Sequence, residues 1–127
     1  MKIAIDLDNT LLKTNGRDYR NSTPIEEAIK KVNKLYSDGH HITIFTARGQ
    51  SSRVDWTLTT KKQLEKFNIP YHDLIVGDKP SFDLLIDDKA VNAIDWINDD
   101  TIVNNFVNDN NEKEYKSFKP FTSEERI

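Results

Sequence analysis

Hydrophobic positions along this chain fall into short runs separated by amphipathic stretches and polar links. The first run, Ile3-Ala4-Ile5 behind Lys2, passes without a break into Asp6-Leu7-Asp8-Asn9-Thr10. That is the pattern of a buried parallel strand ending in a polar tip. Thr23-Pro24-Ile25-Glu26 combines a hydroxyl cap, a proline at the first helical position and a glutamate at the reciprocal capping position. Ile25, Ala28, Ile29, Val32 and Leu35 follow at helical spacing and predict a helix over 24–37. Gly39 ends it, and His41-Ile42-Thr43-Ile44-Phe45 predicts a second strand tipped by Thr46-Ala47-Arg48-Gly49. After a polar loop at 50–53, a helix is expected over 55–67, with Trp56, Leu58, Leu64 and Phe67 apolar and threonines weakening its start. Leu74-Ile75-Val76-Gly77 predicts a third strand and Leu84-Leu85-Ile86 a fourth, which runs straight into Asp87-Asp88. A helix over 90–97 closes the pattern.

Alternating strands and helices with short links imply an α/β fold: a three-layer, Rossmann-like arrangement with a central parallel sheet, right-handed crossovers and helices on both faces. At 127 residues and 14.7 kDa the chain suits one domain, expected over 1–107. Residues 108–127 are polar with few apolar anchors and are expected to be a loosely packed tail.

Composition narrows the function classes. With 36% hydrophobic and 31% charged residues there is material for a core beneath a charged surface. The longest apolar runs are far short of the roughly 20 residues of a membrane span, and no basic segment followed by an apolar one opens the sequence. The expectation is a soluble, cytoplasmic protein with no membrane partner. Zero cysteines exclude disulfides, thiolate zinc and a cysteine nucleophile, so any metal is held by oxygen or by the three histidines. Residues 1–63 carry eleven Lys and Arg against seven Asp and Glu, and residues 64–127 seven against fourteen. Neither half has a basic stripe interleaved with aromatics, so no nucleic-acid partner is expected. Four glycines supply no phosphate-binding loop or dinucleotide fingerprint.

In open parallel sheets the ligand crevice lies at the carboxyl ends of the strands. Those tips carry Asp6 and Asp8, Thr46 and Arg48, Gly77 to Lys79, and Asp87 and Asp88. Two carboxylates about 4 Å apart repel by roughly 4 kcal/mol at an effective dielectric near 20. A cation among them is therefore expected, and all-oxygen ligands favour Mg²⁺, which also takes phosphate oxygens. A small phosphorylated substrate follows. Taken singly each residue reads blandly, Asp as a turn residue and Thr46 as a cap; their recurrence at successive tips is the signal.

The Asp6-Leu7-Asp8-Asn9-Thr10 opening, Thr46 closing the second strand, Lys79 in a Gly-Asp-Lys-Pro loop and Asp87-Asp88 after an apolar strand resemble the four motifs of the haloacid dehalogenase superfamily of phosphohydrolases. The match covers residues 1 to about 98. Arg17-Asp18-Tyr19-Arg20, Phe45 to Gly49 and Ile86 to Ala90 are similar to its small capsule-biosynthesis phosphatase-like members. The resemblance implies Asp6 as nucleophile forming an aspartyl-phosphate, and Asp8 as general acid and then base. It implies Thr46 and Lys79 as holders of the phosphoryl oxygens, and Asp6, Asp8 through its backbone carbonyl, Asp87 and Asp88 around Mg²⁺. Substrate contacts are expected from Asn9, Thr46, Ala47, Arg48, Tyr19 and Arg20, with Lys13 and Arg17 as further candidates. Asp78 intervenes where the subgroup often runs Gly directly into Lys, so Lys62 and Lys89 stand as alternatives to Lys79.

The intervals between motifs leave no room for a cap domain. The open site this implies is closed by a bulky substrate or by a neighbouring subunit of a homo-oligomer, with residues 11–22 as the one loop near motif one long enough to act as a lid. Rival readings are a nucleotide phosphatase or phosphotransferase, a catalytically silent binding protein of the same fold, and a phospho-accepting receiver domain. The last fails because its accepting Asp belongs at the third strand tip, where Gly77 stands. His40, His41 and His72 read as local hydrogen-bonding residues, and Trp56 and Trp96 as packing.

Overall fold

The structure is a computed structural model and describes residues 1–80 and 82–109. Its main sheet is parallel, with strand β1 (Lys2–Asp6), central strand β4 (His41–Thr46) and strand β5 (Asp73–Val76) in the order β1-β4-β5. Ile3 pairs with Ile42, Ile5 with Ile44, and Ile44 with Leu74. Side chains alternate across a strand, so these residues share one face, and Ile5, Ile42 and Ile44 are buried there.

Helix α1 (Glu26–Ser37) buries Ala28, Ile29, Val32 and Leu35, four residues at helical spacing. They join the strand residues, Leu64 of helix α2 (Thr57–Lys66) and Leu7, Leu11 and Leu12 in a single core cluster. Helix α3 (Ala93–Asn98) is capped by the Asn92 side chain, which accepts the Ile94 N–H at 2.9 Å. It adds Trp96 and Ile97 to the same cluster, and the Trp96 carbonyl accepts Lys31 Nζ at 2.6 Å. Three histidines line the amino ends of the strands: His41 Nε2 lies 2.6 Å from Asp73 Oδ2, and His72 Nδ1 accepts the Ile42 N–H at 3.0 Å.

Four sequence expectations change. Thr23 and Pro24 do not open α1. They form strand β3 (Thr23–Pro24), antiparallel to β2 (Leu12–Lys13), and the helix starts at Glu26 with no side-chain cap. The cap is lost because the chain before the helix is held extended, with the Ile25 N–H on the Leu11 carbonyl at 2.9 Å. The proposed lid is therefore anchored: Leu11, Leu12, Thr14 and Ser22 are buried. Leu84-Leu85-Ile86 forms no strand and is exposed by 76, 54 and 90%. Finally, α4 (Ile102–Asp109) was not anticipated and carries helix two residues past the boundary at 107; the rest of the expected tail, 110–127, lies outside the described residues.

Candidate active site

Strand β1 ends at Asp6, and the next residues fold into a tight turn. The Leu7 carbonyl accepts the N–H groups of Thr10, Leu11 and Leu12, and Asn9 adopts a left-handed φ of 62°. Asn9 Oδ1 accepts the Thr14 N–H at 3.1 Å, which locks the turn, while Asn9 itself stays exposed. Leu7, wholly buried, pins the turn to the core and leaves Asp6 and Asp8 on its polar side.

Asp6 faces Lys79. Lys79 Nζ donates to Asp6 Oδ1 at 2.9 Å, and Thr10 Oγ1 donates to Oδ2 at 3.2 Å. The lysine backbone N–H is fixed by Gln50 Oε1 at 2.8 Å, and the ammonium lies 5.2 and 5.4 Å from the ring centroids of Phe45 and Phe82, within cation–π range. Asp78 is exposed and does not divert Lys79 from Asp6. Of the alternatives, Lys62 lines a shallow groove with Arg20 and Lys66, and Lys89 is exposed beside Asp87.

Asp8 turns inward. Its Oδ1 accepts Arg48 Nη2 and Thr14 Oγ1, each at 2.7 Å, and its Oδ2 accepts Arg48 Nε at 3.0 Å and Thr46 Oγ1 at 3.1 Å. Arg48, expected to touch substrate, is fully buried. Its remaining donors go to Gln63 Oε1 at 2.6 Å, Thr60 Oγ1 at 3.1 Å and Ser22 Oγ at 3.3 Å, and its guanidinium carbon lies 4.9 Å from the Tyr19 ring centroid. Every N–H is spent, so Arg48 is a buried hub in place of a substrate contact. Thr46 is likewise buried and bonded to Asp8. Thr10, Thr14, Ser22, Thr60 and Gln63 were missed. For Thr60 and Gln63 the readable signal was two polar residues on the helix face that also carries Leu64.

A cleft of about 440 Å³ opens beside the Lys79–Asp6 pair. Ala47 and Gly49 contribute to its lining, Arg17, Tyr19, Trp56 and Phe82 stand around it, and Lys79 lies within it. Trp56, expected to be packing, meets Tyr19 edge-on at 5.1 Å between ring centroids. Arg20 stands over Trp56 at 5.6 Å and lines the shallow groove beyond, away from the cleft that receives Tyr19 and Ala47.

The acidic cluster does not assemble. Asp87 and Asp88 are exposed, and no group of three or more His, Asp or Glu among the described residues is arranged to hold a metal ion. The physical reason is the missing fourth strand: without pairing, Leu84-Leu85-Ile86 does not carry the two carboxylates to the sheet edge. Asp87 instead closes a local turn. The Lys89 backbone N–H donates to its Oδ1 at 3.2 Å, and this bond, with a smaller one from Asp88, holds the Asp87 carboxyl below its usual range. The oxygen-only donors suit Mg²⁺, but both Asp6 oxygens are already engaged by Lys79 and Thr10, and Asp87 and Asp88 do not join Asp6 in a metal-holding group. In this arrangement the residues do not form a metal site.

A family model described as haloacid dehalogenase-like hydrolase matches residues 3–126. The crystal structure of a target protein from Vibrio cholerae is similar with a TM-score of 0.74 and 28% sequence identity, covering 86% of this chain and 99% of that one. No curated protein matches. Among the described residues, no helix is long and apolar enough to cross a membrane.

Proposed function

This chain belongs to the haloacid dehalogenase-like hydrolases, and from that premise we propose that it hydrolyses a small phosphomonoester through an aspartyl-phosphate on Asp6. The observation that carries the reading is Lys79 Nζ, from the cleft lining, at 2.9 Å from Asp6 Oδ1. A nucleophilic carboxylate and a cation side by side suit attack on a phosphoryl group whose oxygens need a positive partner.

In the proposed sequence, an Asp6 oxygen attacks phosphorus, the new P–O bond forms as the bond to the leaving oxygen breaks, and that oxygen takes a proton from Asp8, a role that requires the Asp8 carboxyl to leave the bonds to Arg48, Thr14 and Thr46 that it makes here. Water then attacks the aspartyl-phosphate and gives a proton to Asp8. Inorganic phosphate leaves and Asp6 is regenerated. Lys79 balances charge on the transferring group throughout. Hydrolases of this family commonly use Mg²⁺; to take it here, Asp6 would have to exchange its bonds to Lys79 and Thr10 for the cation, and Asp87 and Asp88 would have to approach it. No step above is routed through it.

The substrate class favoured by the resemblance is a sugar, polyol or related phosphate of polysaccharide biosynthesis, with nucleoside monophosphates as the rival. The separation of Asp87 and Asp88 from Asp6 favours a second reading, a silent binding protein. One assay separates them: phosphate release from p-nitrophenyl phosphate and a panel of sugar, polyol and nucleoside monophosphates, with and without Mg²⁺, for wild type beside Asp6→Asn. Release lost in the variant supports hydrolysis; release that persists in it overturns the role of Asp6.

A further inference from the structure

The cleft beside Lys79 and Asp6 has a one-sided charge. Two cations line it, Arg17 and Lys79, and no carboxylate does. Lys79 is committed to Asp6. The Arg17 guanidinium has no hydrogen-bond or ion-pair partner among the described residues, although an acid follows it directly in sequence. That neighbour, Asp18, is held by Asn21 Nδ2 at 2.9 and 3.1 Å and makes no ion pair with Arg17. The local backbone fixes the tip: Gly16 has a left-handed φ of 54°, and the Asp18 and Tyr19 N–H groups bond to the Asn15 and Arg17 carbonyls at 3.0 and 2.9 Å.

The lining also includes Tyr19, Trp56, Val54 and Phe82, with Gln50, Ser51 and Ser52 as neutral polar groups. With Lys79 paired to Asp6, the unpaired charge of the lining is Arg17, and apolar walls beside it favour an anion over a neutral polyol. A guanidinium fork matches carboxylate or phosphate in a two-point contact. We propose that the cleft selects a phosphomonoester whose leaving group carries a second anionic group, a carboxylate or a second phosphate, held by Arg17. The proposal rests on the hydrolase reading for one point only, that the phosphoryl group sits at the Lys79 end.

Binding tests it without turnover. Full-length Asp6→Asn protein is titrated calorimetrically at low salt with 6-phosphogluconate, sorbitol 1,6-bisphosphate and sorbitol 6-phosphate. The first two are expected to bind about tenfold more tightly than the third, a difference typical of one charge-assisted contact, and their order tells whether a carboxylate or a phosphate is preferred. Arg17→Gln is expected to bring the ratios to about one, while Arg20→Gln, an equal loss of charge outside this cleft, keeps them. Equal binding of all three ligands, or a preference that survives Arg17→Gln, overturns the proposal. A preference found in a protein whose wild type releases phosphate from no compound leaves the cleft assignment standing and sinks the hydrolase reading; release with no preference does the reverse.

Discussion

Arg48 lies wholly buried against Asp8, with Nη2 2.7 Å from Oδ1 and Nε 3.0 Å from Oδ2. The pair ties the turn after β1 to the tip of β4, and through Thr60 and Gln63 to α2. Gln63 Nε2 also donates to the Tyr19 carbonyl at 2.6 Å, so one hub fixes an acid at the site and one wall of the cleft.

Arg48→Met is expected to destabilise the fold by about 3 kcal/mol, because removing one partner of a buried pair leaves the other uncompensated. Urea unfolding followed by far-ultraviolet circular dichroism measures it. Arg48→Lys keeps the charge but loses the two-point contact, so an intermediate loss is expected. A loss below about 1 kcal/mol for Arg48→Met would show that the hub contributes no more than a surface pair.

Lys79 and Asp6 make a different kind of pair, each side chain less than a third exposed, at 19% and 28%. Its stability contribution should be small, under about 1 kcal/mol, whereas its catalytic contribution should be large. Lys79→Met is expected to lower kcat for p-nitrophenyl phosphate by about 10²–10³-fold, the usual effect of deleting a donor aimed at developing charge. Steady-state kinetics beside a thermal melt separate the two effects. A melt that falls sharply with unchanged kcat would reverse the assignment.

The strands β1 and β4 and the buried face of α1 were legible because short β-type runs and helical spacing report burial directly. So was the meeting of Asp6 and Lys79 at the strand tips, since parallel topology brings tips together. Arg48 was misread because a charged residue beside a cleft defaults to surface or substrate contact; its burial depends on Asp8, Ser22, Thr60 and Gln63, which converge only in three dimensions. Leu84-Leu85-Ile86 misled for a related reason. An apolar triplet states a preference for a strand, but a strand exists only against a partner edge, and here none pairs with it.

Gly49 sits in the wall of the cleft with φ at 83°, and a Cβ there would run into the Val54 carbonyl oxygen. Its own carbonyl accepts the Arg53 N–H at 2.8 Å, so the loop from 49 to 54 has little room to relax. Gly49→Ala is therefore expected to cost at least 1–2 kcal/mol for the left-handed backbone alone and to weaken binding of cleft ligands. Gly39→Ala is the comparison: φ is 94° but nothing lies within 4 Å of the added Cβ, so stability should fall while ligand binding holds. Equal effects of both variants on binding would show that the wall at Gly49 does not shape the cleft.

Mg²⁺ provides the test of Asp87 and Asp88. Treatment with EDTA is expected to abolish phosphate release, and added Mg²⁺ to restore it, because carboxylates and phosphate oxygens are the donors this cation takes. If these two carboxylates serve the cation, the double variant Asp87→Asn/Asp88→Asn should raise the half-activating Mg²⁺ concentration by more than about tenfold, the scale on which loss of a supporting group weakens a metal site, with kcat recovered at saturating metal. Both side chains are exposed and Asp87 is engaged by Lys89, so removing them should leave the melting temperature nearly unchanged. An unaltered Mg²⁺ dependence in the double variant would assign Asp87 and Asp88 to the surface turn they occupy.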